Sequence, residues 1–290
     1  MFESFATQDI ECGDAIIHCR SGGRGAPLLL LHGFPQTHVH WHRVAPLLMD
    51  EFTLVIPDLR GYGASLGPEP DSGNINYSKR AMAGDMVCVM EEFGYGEFSI
   101  ASHDRGARVA HRLALDHPDR VSRLVSLDTL PTLDIWESLD MADALHLFHW
   151  TLLAQPAPLS ELMMGADPDF FLMHLLGRWT PRPDVLDPLA IEEYRKAFRK
   201  PSVRRAMAAD YRAGATVDLE HDRQDRDANR RLQCPVFVPR GHLYMSNPLQ
   251  PVWERWADNV TEVALECGHF IAEELPEECA QAIRTFLVRD

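Results

Sequence analysis

Short apolar runs bounded by Gly, Pro or Asp recur along the chain: APLLLLHG (26–33), FTLVIPD (52–58), FSIASHD (98–104), VSRLVSLD (121–128), CPVFVPR (234–240) and TEVALECGH (261–269). Runs of this length without polar alternation predict strands buried on both faces. Between them the apolar positions recur at helical spacing, over 77–94 and 106–117. Strands alternating with helices predict a mostly parallel sheet covered on both sides. Residues 7–12 and 14–20 predict an antiparallel hairpin leading into that sheet. The alternation stops between about 129 and 230, where DPDFFLMHLLGRW and PLAIEEYRKAFRKPSVRRAMAADYRAG carry helical patterns and no run suits a strand. The pattern therefore predicts an α/β fold in two core pieces, 1–128 and 231–290, with a helical cap at 129–230 inserted between them.

At 290 residues, the chain is long enough for a core plus an inserted module. A content of 46% hydrophobic and 24% charged residues is that of a soluble globular protein. The net charge of −15 argues against a nucleic-acid partner and requires any anionic ligand to be captured by a local cluster of positive charge. No apolar run is long enough to span a bilayer. The acidic opening MFESFATQDIECGD lacks the layout of an export signal, and a cytoplasmic location is the expectation. The six cysteines (12, 19, 88, 234, 267 and 279) form no C-x-x-C pair and are expected to be reduced, mostly buried thiols.

The candidate chemistry lies at the ends of the predicted strands, where open parallel sheets bind ligands. In ASHDRGARVAHR (101–112), Asp104 follows a strand, precedes a helix and is flanked by Ser102 and Gly106. This is the small-x-nucleophile-x-small turn of a nucleophile elbow, with a carboxylate in its centre. Taken alone, the turn also suits an aspartate helix cap. Two further motifs favour the elbow. His32-Gly33-Phe34-Pro35 ends the 26–33 strand, where hydrolases of this type supply an oxyanion-hole N–H. His269 follows the last predicted strand, where the fold keeps its general base. The loop RGHLYMSNP offers no carboxylate before Glu254, so Asp128 is the expected acid partner of His269, with Asp134 as the alternative. Arg105 and Arg108, spaced i, i+3, share a helix face that begins beside Asp104.

The stretches HGFPQTHVHWHRVAP, SHDRGARVAHRLALDHP, LDTLPT, FHWTLLAQPAP, DYRAGATVDLEHD and CGHFIAEE together resemble the fluoroacetate (haloacetate) dehalogenases of the α/β-hydrolase superfamily. The resemblance implies Asp104 as nucleophile, His269 as base and Asp128 as acid. It implies Arg105 and Arg108 as the substrate-carboxylate pair, and His149, Trp150 and Tyr211 as halide donors. Backbone N–H groups of Phe34 and Arg105 would hold the oxyanion. The implied reaction converts a haloacid and water to glycolate and halide, needs no metal or organic cofactor, and is carried out by a homodimer. Ser102 stands where the family's turn has Gly, and RGHLYMSNPL departs from the family's usual segment; the second departure bears on access and substrate length.

Epoxide hydrolases would share Asp104, Asp128 and His269 but want two cap tyrosines, and 129–180 contains none. A non-catalytic binding protein of the same fold is the remaining alternative, which an intact nucleophile, acid and base disfavour. The run HVHWH (38–42) invites a metal site, but it leads into a predicted helix, on which His40 leaves the face of His38 and His42. These are expected to be surface or cap-facing histidines.

Overall fold

The computed structural model describes residues 1–288. Its strands are β1 (Ala6–Cys12), β2 (Ala15–Gly23), β3 (Ala26–Leu31), β4 (Phe52–Pro57), β5 (Phe98–His103), β6 (Val121–Leu127), β7 (Val236–Gly241) and β8 (Val260–Leu265). They form one sheet in the order β1-β2-β4-β3-β5-β6-β7-β8. The β1–β2 and β2–β4 pairs are antiparallel, and every pair from β4–β3 to β7–β8 is parallel. Neighbouring residues of the central strands serve opposite faces. Leu29, Leu31 and Ile100 pack with Met82, Met86, Val109 and Leu113 of the helices Lys79–Glu92 and Asp104–Asp116. Leu28, Leu30 and Ala101 pack on the other side with Leu48, Ile283 and Phe286. A strand buried on both faces has no solvent side, which is why these runs lack polar alternation.

From β3 the chain goes first to β4 on one side and later to β5 on the other. The carboxyl ends of β3 and β5 therefore flank the crevice where strand order reverses, the usual ligand position of such a sheet. Between β6 and β7 lie only helices, from Thr132–Ser138 to Val217–Asp227. This insert is fastened to the core by buried ion pairs. Arg105 and Lys79 both reach Asp210, Lys79 also approaches Asp218, and Arg112 holds Asp222 and Asp225. Tyr62 adds a hydroxyl bond of 2.7 Å to Asp210.

Four expectations are corrected. β8 is half-exposed rather than fully buried, because it closes one edge of the sheet, and it ends at Leu265. The pattern over 188–214 divides into Pro188–Phe198 and Pro201–Gly214, since Pro201 cannot donate the N–H that would continue the first helix. His38 and His40 are buried, not on the surface, and the three histidines turn to three different carboxylates. His38 lies 2.9 Å from Asp58, His40 3.6 Å from Glu273 and His42 3.7 Å from Asp187. The cysteines are not all free: Cys12 and Cys88 are paired as a disulfide with Cα atoms 5.9 Å apart, and Cys19, Cys234, Cys267 and Cys279 are buried thiols. A strand and a helix 76 residues apart in sequence supply that pair, which spacing alone does not reveal.

Candidate active site

The turn after β5 brings Asp104 to a positive φ of 45°, a left-handed conformation that asparagine and aspartate tolerate better than most residues. The backbones around it are crowded. A Cβ on Gly33 would lie 2.5 Å from the Asp104 Cβ, and one on Gly106 would lie 2.3 Å from the His32 carbonyl oxygen. Only glycine at both positions lets the loop after β3 meet the start of the helix after β5. The helix itself begins at Asp104, two residues before the expected 106. Ser102, for which the sequence offers no purpose, donates its hydroxyl to the Val125 carbonyl of β6 at 2.9 Å.

The meeting of those segments aims the Phe34 N–H at Asp104 Oδ1, 2.9 Å away, while Arg108 Nη1 stands 3.2 Å from Oδ2. Burial raises the Asp104 pKa, but Arg108, then His269 and Arg105, outweigh it and hold the carboxyl below its usual range. Across the crevice His269 Nδ1 lies 2.7 Å from Asp128 Oδ2, and Asp128 Oδ1 accepts the Gly241 N–H at 2.8 Å. With Nδ1 donating to a carboxylate, Nε2 is left as the proton acceptor. Burial raises the Asp128 pKa against the opposing pull of His269. Behind the imidazole, His103 Nε2 donates to the His269 carbonyl at 2.9 Å, and burial lowers the His103 pKa well below the ordinary value. Asp134 takes no part: its carboxylate accepts from Trp256 Nε1 at 2.6 Å and pairs with Arg255 at 3.1 Å.

Asp104, Arg108, Asp128, His149, Trp150 and His269 line one small cavity of about 40 Å³. That is room for roughly three waters, or an organic molecule of a few heavy atoms. Burial pushes the His149 pKa down to about 3, so its ring is neutral and offers an N–H rather than a charge. Trp150 lies against both arginines, 4.6 Å from Arg108 Cζ and 5.5 Å from Arg105 Cζ. The two arginines are unequal. Arg108 lines the cavity, whereas Arg105 spends Nε and Nη2 on Asp210, at 2.9 and 2.8 Å, and keeps only Nη1 without a partner. Tyr211 lies against Arg105, its ring 4.1 Å from Cζ, and its buried hydroxyl is unpartnered.

Sequence reasoning missed several lining side chains, the largest of them Trp179 and Tyr244. Trp179 packs 4.6 Å from His149 and accepts the His269 N–H on its carbonyl at 2.8 Å. Tyr244 packs 4.6 Å from the His269 ring. Trp179 was legible only as the end of a helical pattern, but Tyr244 lies in the segment RGHLYMSNPL, whose departure from the resembled family was its signal.

The chain matches the alpha/beta hydrolase fold family over residues 26–275. It is 44% identical to a fluoroacetate dehalogenase from a Burkholderia species, over 99% of this chain and 95% of the relative. The chain belongs to the haloacetate dehalogenase family of the α/β-hydrolase superfamily. A soluble epoxide hydrolase from Corynebacterium sp. (strain C12) is 32% identical over 90% of both chains. Among solved structures, one from Nostoc sp PCC 7120 superposes with a TM-score of 0.98 at 45% identity and covers all of both chains. These likenesses make the protein a hydrolase; they include relatives named for both carbon–halide and epoxide chemistry.

Proposed function

We propose that the protein is a hydrolytic dehalogenase that converts haloacetates, fluoroacetate or chloroacetate, to glycolate and halide. The observation that carries this reading is the Asp104 carboxylate, paired with Arg108 inside a cavity that fits only a few heavy atoms. A carboxylate displaces halide from a saturated carbon and leaves an ester, which water can still hydrolyse; a serine would leave an inert ether. The Arg108 guanidinium, with the free Nη1 of Arg105, orients the acid's carboxylate so that its α-carbon faces Asp104.

In the first step an Asp104 oxygen bonds to the α-carbon and the halide departs with the carbon–halogen electron pair. His149, Trp150 and Tyr211 donate N–H or O–H groups to the leaving halide. In the second step His269, oriented by Asp128, takes a proton from water as the water oxygen bonds to the Asp104 carboxyl carbon. The Phe34 N–H, now relieved of a carboxylate charge, and the Arg105 N–H hold the oxyanion. The ester bond to glycolate breaks, the water oxygen stays in Asp104, the second water proton passes to the departing glycolate oxygen, and the proton on His269 returns to solvent. No metal or organic cofactor enters the cycle. A homodimeric, cytoplasmic enzyme belongs to the same proposal.

Epoxide hydrolysis is the second reading, favoured by the Corynebacterium relative. It is weakened by the insert's tyrosines. Tyr194 gives its hydroxyl to Glu273 at 3.0 Å, which leaves Tyr211 as the insert's only free phenol among the described residues. The test is halide and glycolate release from fluoro-, chloro- and bromoacetate beside a styrene oxide control, followed by single turnover in ¹⁸O-water. Label is expected in Asp104. Epoxide turnover without halide release, or an unlabelled Asp104, overturns the reading.

A further inference from the structure

The catalytic side chains Asp104, Asp128 and His269 line the 40 Å³ cavity. Against it lies a second, outer basin of about 410 Å³. Leu130, Ile135, Leu147, Tyr244 and Met245 line both spaces, so these side chains form a wall common to the two. The outer basin is mostly apolar on this side, and its rim carries Asp143, His146 and Asn247. Tyr244 is the largest side chain of the wall. It is clamped between two imidazoles, 5.0 Å from His146 of the insert and 4.6 Å from His269 of the core.

The loop that presents Tyr244 is anchored. Leu243 donates to the Cys267 carbonyl at 3.0 Å, Tyr244 and Met245 donate to the Gly241 carbonyl at 3.0 and 2.8 Å, and Arg240 returns a bond of 2.8 Å to the Met245 carbonyl. A ring held this firmly sets a fixed boundary rather than a yielding one. We propose that Tyr244 is the residue that limits substrate length: it closes the inner cavity to two-carbon acids, and the outer basin is where the alkyl tail of a longer 2-haloacid goes once the ring is removed. The inference rests on the dehalogenase reading for its chemistry, but its geometric part does not.

Two measurements keep those parts separate. The first is kcat/KM for chloroacetate against 2-chlorobutanoate, by halide release, in the native chain and in Tyr244→Ala and Tyr244→Phe. Two extra carbons without a space to enter cost about a hundredfold or more, since one methylene in an apolar pocket decides roughly 10- to 200-fold. Tyr244→Ala is expected to narrow the native ratio by about tenfold or more, and Tyr244→Phe, which keeps the ring, to preserve it. A general loss from a looser His269 lowers both substrates alike and cancels in the ratio, so a merely structural Tyr244 leaves the ratio unchanged, which overturns the proposal. A ratio that shifts as far in Tyr244→Phe as in Tyr244→Ala overturns it too, because the hydroxyl and not the ring would then decide.

The second measurement is calorimetric binding of the unreactive acids acetate and butanoate, which needs no turnover. Butanoate is expected to gain on acetate by about tenfold in Tyr244→Ala. Leu147→Ala and Met245→Ala thin the same wall from its other sides and serve if Tyr244→Ala does not fold. Failure of every folded variant to favour butanoate overturns the wall, whatever the native chain does with haloacids. Absence of halide release from all haloacids in the native chain sinks the dehalogenase reading alone.

Discussion

Arg108 is buried, lines the cavity and faces the Asp104 carboxylate at 3.2 Å, so a single side chain serves two electrostatic tasks. It would bind the substrate's carboxylate, and it holds the Asp104 carboxyl below its ordinary range. Asp104 is therefore ionised throughout the near-neutral range, and an acid limb of the native pH profile does not arise from it. Truncation in Arg108→Ala is expected to lower kcat/KM for chloroacetate by about a hundredfold, the worth of one or two charge-assisted hydrogen bonds. Without that guanidinium the Asp104 pKa rises, so the variant gains an acid limb that belongs to Asp104 and that the native protein lacks. A pH–rate profile of the variant that matches the native one on the acid side contradicts this account. Arg108 was legible because its spacing from the elbow puts it on the substrate side of one helix. Which nitrogens of Arg105 are free was not legible, since Asp210 lies 105 residues away.

The elbow works as a joint between elements, and its glycines show what the joint requires. Gly106 sits where the helix Asp104–Asp116 crosses the end of β3, with a Cβ site 2.3 Å from the His32 oxygen. In Gly106→Ala the helix must back away from β3, carrying Asp104 off the Phe34 N–H; overpacking of this kind costs about 1–3 kcal/mol. Gly84 is the contrasting case, inside the helix Lys79–Glu92 with open space where a Cβ would go. Gly84→Ala is expected to stabilise by about 0.5–1 kcal/mol through the ordinary helix preference. Urea midpoints of the two variants should move in opposite directions, with turnover lost in the first only; a shared direction contradicts the packing argument. The small residues around Asp104 were readable as an elbow because the turn is local. Three contacts between elements were not: the Ser102–Val125 bond, the Cys12–Cys88 pair and the Tyr244–His269 stack each join segments more than 20 residues apart. Hydrophobic period predicts that a strand is buried, not which neighbour it meets. The same limit hid the half-exposed face of β8, because sheet order decides which strand lies at the edge.

Across the whole molecule, a chain of net charge −15 sets three of its buried cations, Lys79, Arg105 and Arg112, at the seam between core and insert. Asp210 is the centre of that seam: Arg105, Lys79 and Tyr62 of the core all converge on it from the sheet side. The pairing keeps Arg105 in place behind the cavity and makes the insert part of the active-site wall. Removing one partner of a buried pair leaves the other uncompensated, so Asp210→Asn is expected to cost about 3–5 kcal/mol at pH 7. The pH dependence has a definite sign. Burial raises the Asp210 pKa, but Arg105 and Lys79 more than reverse it and set the folded value below the ordinary 3.8. A depressed folded pKa contributes stability that is complete above the unfolded value and is lost as pH falls through the folded one. The difference in urea midpoint between native protein and Asp210→Asn should thus be constant from pH 7 down to pH 5. It should narrow below about pH 4, as protons neutralise the native carboxylate and remove the charge that the variant already lacks. A difference that widens on acidification would show that the seam is held by something other than this carboxylate. Loss of haloacid turnover at pH 7 in the still-folded variant, with KM rising more than kcat falls, would tie the same seam to the placement of Arg105.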